Sequence, residues 1–213
     1  MNVDWATVAT ILAVLVPSVI LHEVSHGVVA NMFGDDTAKR AGRLTLNPLP
    51  HVDPFGTVIL PIILSLSGFG AFGYARPVPV TVSRLRNPRS HSLYVSLVGP
   101  AVNIVLAVLA ALVLRTFFSV ETSFGRFIED GAVADVVVYL GIINVILAAF
   151  NLIPLPPLDG SAIVERLLPA AWWPTWLKIR QYSMVVLILV VLLVPGLISR
   201  VFTPAIDLWE TLL

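Results

Sequence analysis

The sequence contains no cysteine and few charged residues. The absence of cysteine among its 213 residues excludes disulfides, thiolate metal ligands and a thiol nucleophile. Charged residues make up only 12% of the chain, and basic and acidic residues balance at 13 each, so nothing indicates a nucleic-acid partner. Any metal ion must therefore be held by histidine and carboxylate side chains.

Hydrophobic residues dominate instead. They make up 57% of the chain, and the mean hydropathy of +0.92 is too high for a soluble domain of this length. Apolar runs approach the length of a bilayer-spanning helix at residues 6–33, 92–114, 132–153 and 182–198. We therefore expect an all-α polytopic protein of a lipid bilayer, in a prokaryotic cell membrane, with residues 1–213 forming a single integral-membrane domain.

A fifth apolar run, residues 56–72, is shorter and interrupted. Its Pro61, Gly68 and Gly70 suit a broken, re-entrant element better than a straight helix. If the run re-enters, most basic residues fall on one side of the membrane, which the positive-inside rule favours over the near-equal split of a full crossing. The sequence thus predicts four to five transmembrane helices, with four preferred, an outside N-terminus and a site that opens towards the cytoplasm.

Ionisable residues interrupt the first apolar run. His22, Glu23 and His26 form an H-E-x-x-H sequence, and an ionisable residue inside a membrane is by default a functional-site candidate. In a helix the two histidines lie about one turn apart on one face, so both imidazoles can reach the same metal ion. Glu23 then lies beside the ion, as in zincins, where the glutamate activates the zinc-bound water. A catalytic zinc needs a third protein ligand and one open position.

A proline-rich segment follows the third apolar run and offers that third ligand. The sequence Asn151-Leu-Ile-Pro-Leu-Pro-Pro-Leu-Asp159-Gly160 cannot continue a helix, and irregular backbone at membrane depth survives only inside protein or beside a water-filled cavity. Asp159 is the candidate for completing a site of two histidines and one carboxylate. The alternative is an N-cap role for Asp159 in a helix that begins near Ser161, and the two roles are compatible.

These two motifs resemble the signatures of the site-2 protease family of intramembrane zinc metalloproteases. The family carries H-E-x-x-H and N-x-x-P-x-x-P-x-D-G, which match the segments that begin at His22 and Asn151. The likeness extends to Gly99-Pro100-x-x-Asn103 between them. The family commonly carries a PDZ or CBS domain, and this compact chain has room for neither.

The resemblance implies a role for each matching residue. His22, His26 and Asp159 would bind Zn²⁺, and Glu23 would act as the general base. Asn151 would position the substrate or stabilise the oxyanion, with the alternative that it caps the end of its helix.

The activity implied by the resemblance is zinc-dependent hydrolysis of peptide bonds in or near transmembrane segments of membrane proteins, as in regulated intramembrane proteolysis. A metal transporter, or a metal-binding membrane protein without peptidase activity, is the alternative. Transport requires polar residues along a route across the whole bilayer, whereas the polar groups here converge at two motifs. The natural substrate and the oligomeric state are left open by the sequence.

Two short segments alternate like β-strands. They are residues 43–46 and residues 78–82, in which valines alternate with other residues after Pro77. We expect them to form a small membrane-associated β-sheet near the zinc, where Val78 and Val80 bind the extended substrate as an added strand. The edge that carries Pro77 and Pro79 lacks donors, so the substrate would bind the other edge. His51 is a further candidate for substrate contact or for an accessory metal.

Overall fold

A computed structural model describes residues 4–53, 59, 76–122, 125–129, 131–194 and 196–213. The helices are, in chain order, α1 (Trp5–Met32), α2 (Thr37–Arg40), α3 (Pro88–Phe117), α4 (Ala132–Asn151), α5 (Ser161–Leu167), α6 (Trp173–Gln181), α7 (Ser183–Leu193) and α8 (Leu197–Glu210). Short 3-10 turns cover Leu49–His51, Val82–Arg84 and Ala170–Trp172. Two strands, β1 (Ser119–Thr122) and β2 (Gly125–Ile128), form an antiparallel hairpin.

Three of these helices, α1, α3 and α4, are long and apolar enough to cross a membrane. Only 22 to 39% of the residues in their most apolar windows are buried inside the protein, as expected when the other faces contact lipid. Each of the three packs against the other two. These helices match three of the predicted spans in length and composition, as expected of an integral membrane protein.

Polar caps set where the two longest helices begin. The Asp4 carboxylate accepts hydrogen bonds from the N–H groups of Ala6 and Thr7, which start α1. Asn87 accepts from the N–H of Ser90, and Pro88 occupies the first turn of α3, where its missing N–H costs nothing. These caps fix where α1 and α3 begin. α1 carries His22 and His26, and α3 carries Asn103.

Small residues and one tryptophan hold α8 against the bundle. Ala107, Ala110 and Ala111 of α3 are buried and allow close helix packing. Trp209 of α8 inserts beside them, and its indole N–H donates to the carbonyl of Ala107 at 2.7 Å. Gly141 of α4 faces the Trp209 ring so closely that a Cβ atom would overlap the ring. The Trp209 ring therefore fixes α8 by packing between α3 and α4.

The predicted fourth span, residues 182–198, is broken rather than continuous. α7 ends at Leu193 after 11 residues, which is about 16 Å of helix and roughly half of the hydrocarbon thickness. Gly196 then adopts a left-handed φ of +74° before α8 begins. The sequence Val-Pro-Gly at residues 194–196 explains the break, because proline ends a helix and glycine accepts this conformation. The fifth run, residues 56–72, lies outside the described residues apart from Ile59.

The small sheet lies elsewhere than predicted. The observed hairpin follows α3, whereas residues 44–46 form bends and residues 76–81 form no strand among the described residues. We name residues 76–81 the strap. Pro77 and Pro79 have no N–H to donate, and the N–H groups of Val78 and Thr81 bind the side chains of Glu23 and Asp35. Of the strap's N–H groups, only that of Val80 has no partner among the described residues, so the strap lacks the run of free donors that a sheet would use.

Asp35 anchors the strap to the end of α1. Its buried carboxylate accepts the N–H of Thr81 at 2.5 Å and the N–H and hydroxyl groups of Thr37. Burial raises the pKa of Asp35, but these hydrogen bonds together outweigh burial and hold its pKa below the ordinary value. The carboxylate is therefore ionised at neutral pH, and its contribution to stability is lost only as the pH falls through the lowered pKa.

The contact between Gly141 and Trp209 predicts the effect of a single methyl group. Gly141→Ala should displace the indole and break its bond to the Ala107 carbonyl, which lowers stability by about 1–3 kcal/mol. Thermal unfolding in detergent would measure the loss. Gly131→Ala is the matched control, because a Cβ atom at Gly131 meets no atom of the described residues within 4 Å. Equal stability of the two variants would contradict the docking described above.

Candidate metal centre

The two histidines of α1 share a buried site with Asp159. His22 and His26 are one helical turn apart, and their Nε2 atoms are 3.1 Å from each other. The Oδ2 atom of Asp159 lies 3.1 Å from the Nε2 atom of His22 and 3.4 Å from that of His26. The structure thus brings together the three residues that the sequence motifs suggested as metal ligands, and they form a group able to hold a metal ion.

A tight loop after α4 delivers Asp159 to the histidines. The N–H of Gly160 donates to the carbonyl of Asn151 at 2.6 Å and folds residues 152–160 back on the end of α4. A Cβ atom at Gly160 would overlap the backbone of Leu152 and Ile153, so only glycine fits this position. α5 begins at Ser161 with no side-chain N-cap bond, and the Asp159 carboxylate faces the histidines instead. The N-cap alternative for Asp159 is therefore not observed.

Hydrogen bonds to the second ring nitrogens set the protonation of both imidazoles. Nδ1 of His26 lies 2.5 Å from the backbone carbonyl of Val95, which can only accept a hydrogen bond. Nδ1 of His22 lies 2.6 Å from Oδ1 of Asn103. With the hydrogen on Nδ1 in both neutral rings, each Nε2 presents a lone pair to the site.

The donor atoms fit a divalent cation. Oδ2 of Asp159 is buried, and with the hydrogen on Nδ1 of both neutral rings it faces two Nε2 lone pairs instead of a donor. Three electron-rich atoms in contact repel one another, and a cation placed between them turns this repulsion into attraction. Tetrahedral zinc with bonds of about 2.0–2.1 Å places its ligand atoms roughly 3.3 Å apart, close to the observed triangle. Two imidazoles and one carboxylate leave a fourth position for water or substrate.

Glu23 lies next to the three ligands and binds the strap. Its Oε2 atom accepts the N–H of Val78 at 2.8 Å. The strap is held in turn by the buried guanidinium of Arg43, which donates to the carbonyls of Arg76 at 2.6 Å and Pro77 at 3.4 Å. One carboxylate oxygen of Glu23 is thus fixed by the backbone while the other is available for proton transfer.

A cavity of about 270 Å³ joins these groups. His22, His26, Asp159, Glu23 and Asn151 line it on one side, and Val78 and Val80 of the strap line it on another. The Asn151 amide donates one N–H back to the carbonyl of Leu147 at 3.0 Å, near the end of its own helix, and the residue lines the cavity as well. Both alternatives that the sequence left open for Asn151 are compatible with this position.

His51 has a supporting position behind the strap. It is buried, its Nε2 atom lies 3.0 Å from the carbonyl of Thr45, and its own carbonyl accepts the N–H of Arg76. It is absent from the described lining of the cavity and from the described metal-ligand group. Substrate contact by His51 therefore stays a prediction.

Several residues of the site were missed by the sequence reasoning. Ser96 of α3 and Arg180 of α6 line the cavity, and Arg180 pairs with Glu165 at 3.2 Å. Asn144 of α4 binds Asn103 from a position two helical turns before Asn151. A polar residue at that spacing in an apolar run is the signal that could have identified Asn144.

Gly99 allows the backbone of α3 to approach the metal centre. A Cβ atom there would lie 2.6 Å from Cε1 of both His22 and His26 and closer still to Nε2 of His26. Gly99→Ala should therefore weaken zinc binding at least about 10-fold through rotated imidazoles, although alanine favours the helix itself. Competition with a chelator would measure the affinity. Ala101→Val, on the exposed face of the same helix, is the control, and equal affinities would contradict the close approach.

Comparisons with known proteins agree on one family. The model of peptidase family M50 matches residues 10–132 and 115–194. The chain is 36% identical to "Putative zinc metalloprotease YwhC" of Bacillus subtilis over 193 residues, which cover 91% of this chain and 84% of that protein. It is 32% identical to "Putative zinc metalloprotease Rip2" of Mycolicibacterium smegmatis over 90% of this chain and 66% of that protein. No solved structure gives a significant match. The chain therefore belongs to peptidase family M50, the site-2 protease family of zinc metalloproteases.

Proposed function

We propose that this chain is an intramembrane endopeptidase that uses zinc to hydrolyse peptide bonds in or near transmembrane segments of membrane proteins. The observation that carries the proposal is a single cavity shared by Glu23, the strap and the triangle of His22, His26 and Asp159. These groups belong to, or pack against, helices that are long and apolar enough to span the membrane. The relatives, all bacterial, support a prokaryotic cell membrane as the location.

Glu23 is the proposed general base and acid. Zinc, when bound, supplies a Lewis acid that acidifies a water molecule and polarises the scissile carbonyl. Glu23 accepts the proton of the attacking water and later delivers it to the departing amine. The N–H of Val78 holds one carboxylate oxygen, so the other can face the water without losing its orientation. His22, His26 and Asp159 are the proposed ligands.

Asn151 is the proposed donor to the developing oxyanion. Its side-chain amide has two N–H groups, of which the bond to the Leu147 carbonyl occupies one. The second can donate into the cavity, where negative charge develops on the carbonyl oxygen during attack. The capping bond then positions the amide for this role rather than competing with it.

The strap is the proposed docking edge for an unwound substrate. A transmembrane substrate must leave its helical conformation before cleavage, and its freed backbone groups then need partners. Pro77 and Pro79 bias the residues before them towards extended backbone, and in an extended strand residues two apart point their N–H groups to the same side. Val80 therefore shares the side on which Val78 binds Glu23, and its N–H has no partner among the described residues. A substrate strand paired with Val80 would lie beside the metal ligands.

Substitution of Glu23 separates hydrolysis from metal binding. Glu23→Gln should keep zinc and lower the rate of cleavage by at least about 10²-fold, because the amide cannot accept the proton. Asp159→Ala should lose zinc and activity together. Metal analysis of the purified variants and cleavage of a model transmembrane peptide in detergent would measure both effects.

Hydrolysis that survives Glu23→Gln would contradict the role of this residue. Zinc transport into proteoliposomes by a protein that cleaves no peptide would favour the alternative function, a metal transporter. Since Asp159→Ala removes a ligand and not the base, its zinc content also tests the ligand assignment separately.

Removal of one backbone donor tests the strap. Val80→Pro should abolish cleavage while the zinc content stays normal, because proline cannot donate to a paired substrate strand. Val80→Ala keeps the N–H and serves as the control, so it should retain most of the activity. Cleavage that persists in the proline variant would refute docking of the substrate at this edge.

A further inference from the structure

A continuous chain of buried amide hydrogen bonds leads from His22 to α4. Oδ1 of Asn103 lies 2.6 Å from Nδ1 of His22, and Nδ2 of Asn103 donates to Oδ1 of Asn144 at 2.7 Å. Nδ2 of Asn144 donates to the carbonyl of Leu140 and to the hydroxyl oxygen of Ser18, both at 2.9 Å. The side chains of Asn103 and Asn144 are fully buried, so water does not replace these partners.

The hydrogen bond at the α4 end of this series fixes the orientation of both asparagine amides. The Leu140 carbonyl can only accept, so the amide nitrogen of Asn144 must face it and the amide oxygen must face Asn103. Asn103 must then present its nitrogen to Asn144 and its oxygen to His22. The Ser18 hydroxyl donates to the carbonyl of Val14 at 2.8 Å, so towards Asn144 it is an acceptor as well.

We infer that Asn144 is a positioning residue for the metal centre, because it fixes through Asn103 which nitrogen of His22 carries the hydrogen. The inference rests on the proposed function of His22 as a zinc ligand. An amide oxygen at Nδ1 requires the hydrogen on Nδ1, which leaves the lone pair on Nε2 for the metal. His26 reaches the same state directly, through the carbonyl of Val95.

Without Asn144, no hydrogen bond forces the Asn103 amide to present its oxygen to His22. The Asn103 amide can then rotate by half a turn and present its nitrogen to His22. The hydrogen of the imidazole moves to Nε2, where it points at Oδ2 of Asp159, 3.1 Å away. This alternative fills the metal position with a hydrogen bond and satisfies Asp159 without a cation. The orientation of the Asn103 amide, and not only the presence of Asn103, therefore decides whether Nε2 of His22 has a lone pair for zinc.

The test compares two variants that remove hydrogen bonds at the same buried point. Asn144→Leu should weaken zinc binding about 10- to 100-fold, the usual effect of losing a partner that orients a metal ligand. Ser18→Ala also loses a bond to Asn144, but the Leu140 carbonyl still fixes the amide, so zinc affinity should stay within about 2-fold of the parent protein. Affinity would be measured by competition with a chelator, and thermal unfolding of the metal-free proteins would report the stability of each.

A second pair of variants separates orientation from stability. Asn103→Asp offers oxygen atoms to His22 whichever way it turns, so it should bind zinc as well as the parent protein even though it loses the bond to Asn144. Asn103→Leu should bind zinc as weakly as Asn144→Leu. Equal affinity of Asn144→Leu and Ser18→Ala, or equal losses in Asn103→Asp and Asn103→Leu, would overturn the inference.

A direct measurement needs no variant. In the metal-free protein, nitrogen NMR of labelled histidine at a pH where imidazole is neutral should show His22 with its hydrogen on Nδ1. A hydrogen on Nε2 would overturn the inference.

If Asp159→Ala leaves zinc binding unchanged, the ligand assignment in the proposed function fails. If Asp159→Ala loses zinc but Asn144→Leu does not, only the role of Asn144 fails.

Discussion

The site depends on an electrostatic conflict that a bound cation resolves. Two imidazole nitrogens and one carboxylate oxygen lie within 3.4 Å of one another in a buried place, and with the hydrogen on Nδ1 of both rings all three present lone pairs. In a low-dielectric interior this arrangement is costly, whereas a divalent ion placed among the atoms turns repulsion into coordination. The same triangle that destabilises the metal-free site therefore explains its affinity for zinc.

The surroundings of the triangle keep it from relaxing. Nδ1 of His26 is tied to a backbone carbonyl, and Nδ1 of His22 to a fully buried asparagine, so neither ring can turn its hydrogen towards Asp159 without breaking a bond. Gly99 lets α3 press against both rings, and Gly160 lets the loop after α4 close on itself. Glu23, one residue from a ligand, is bound to the strap instead of to the metal position. These contacts hold the three groups in place around the point where an ion is needed.

Local sequence patterns predicted a large part of this arrangement. The spacing of His22 and His26 places both on one helix face whatever the fold, and the apolar runs that became α1, α3 and α4 are long enough to be recognised by length alone. The fourth run does not form one continuous helix, because it contains the Val-Pro-Gly sequence between α7 and α8, which hydropathy does not register. The sheet was misplaced because alternation of valines reports an extended backbone and not its partners, which for Val78 and Thr81 are carboxylates.

By itself the sequence determined the chemical identity of the donors, their spacing along α1, the three helices of spanning length and the rigid, proline-rich approach to Asp159. The tertiary structure decided that Asn144 meets Asn103, that a backbone carbonyl on α4 orients an imidazole on α1, and that the strap binds Glu23. The reason is physical. Periodicity within one helix is set by covalent geometry, but contacts between helices depend on their rotation and register, and in a bilayer apolar surface alone selects neither.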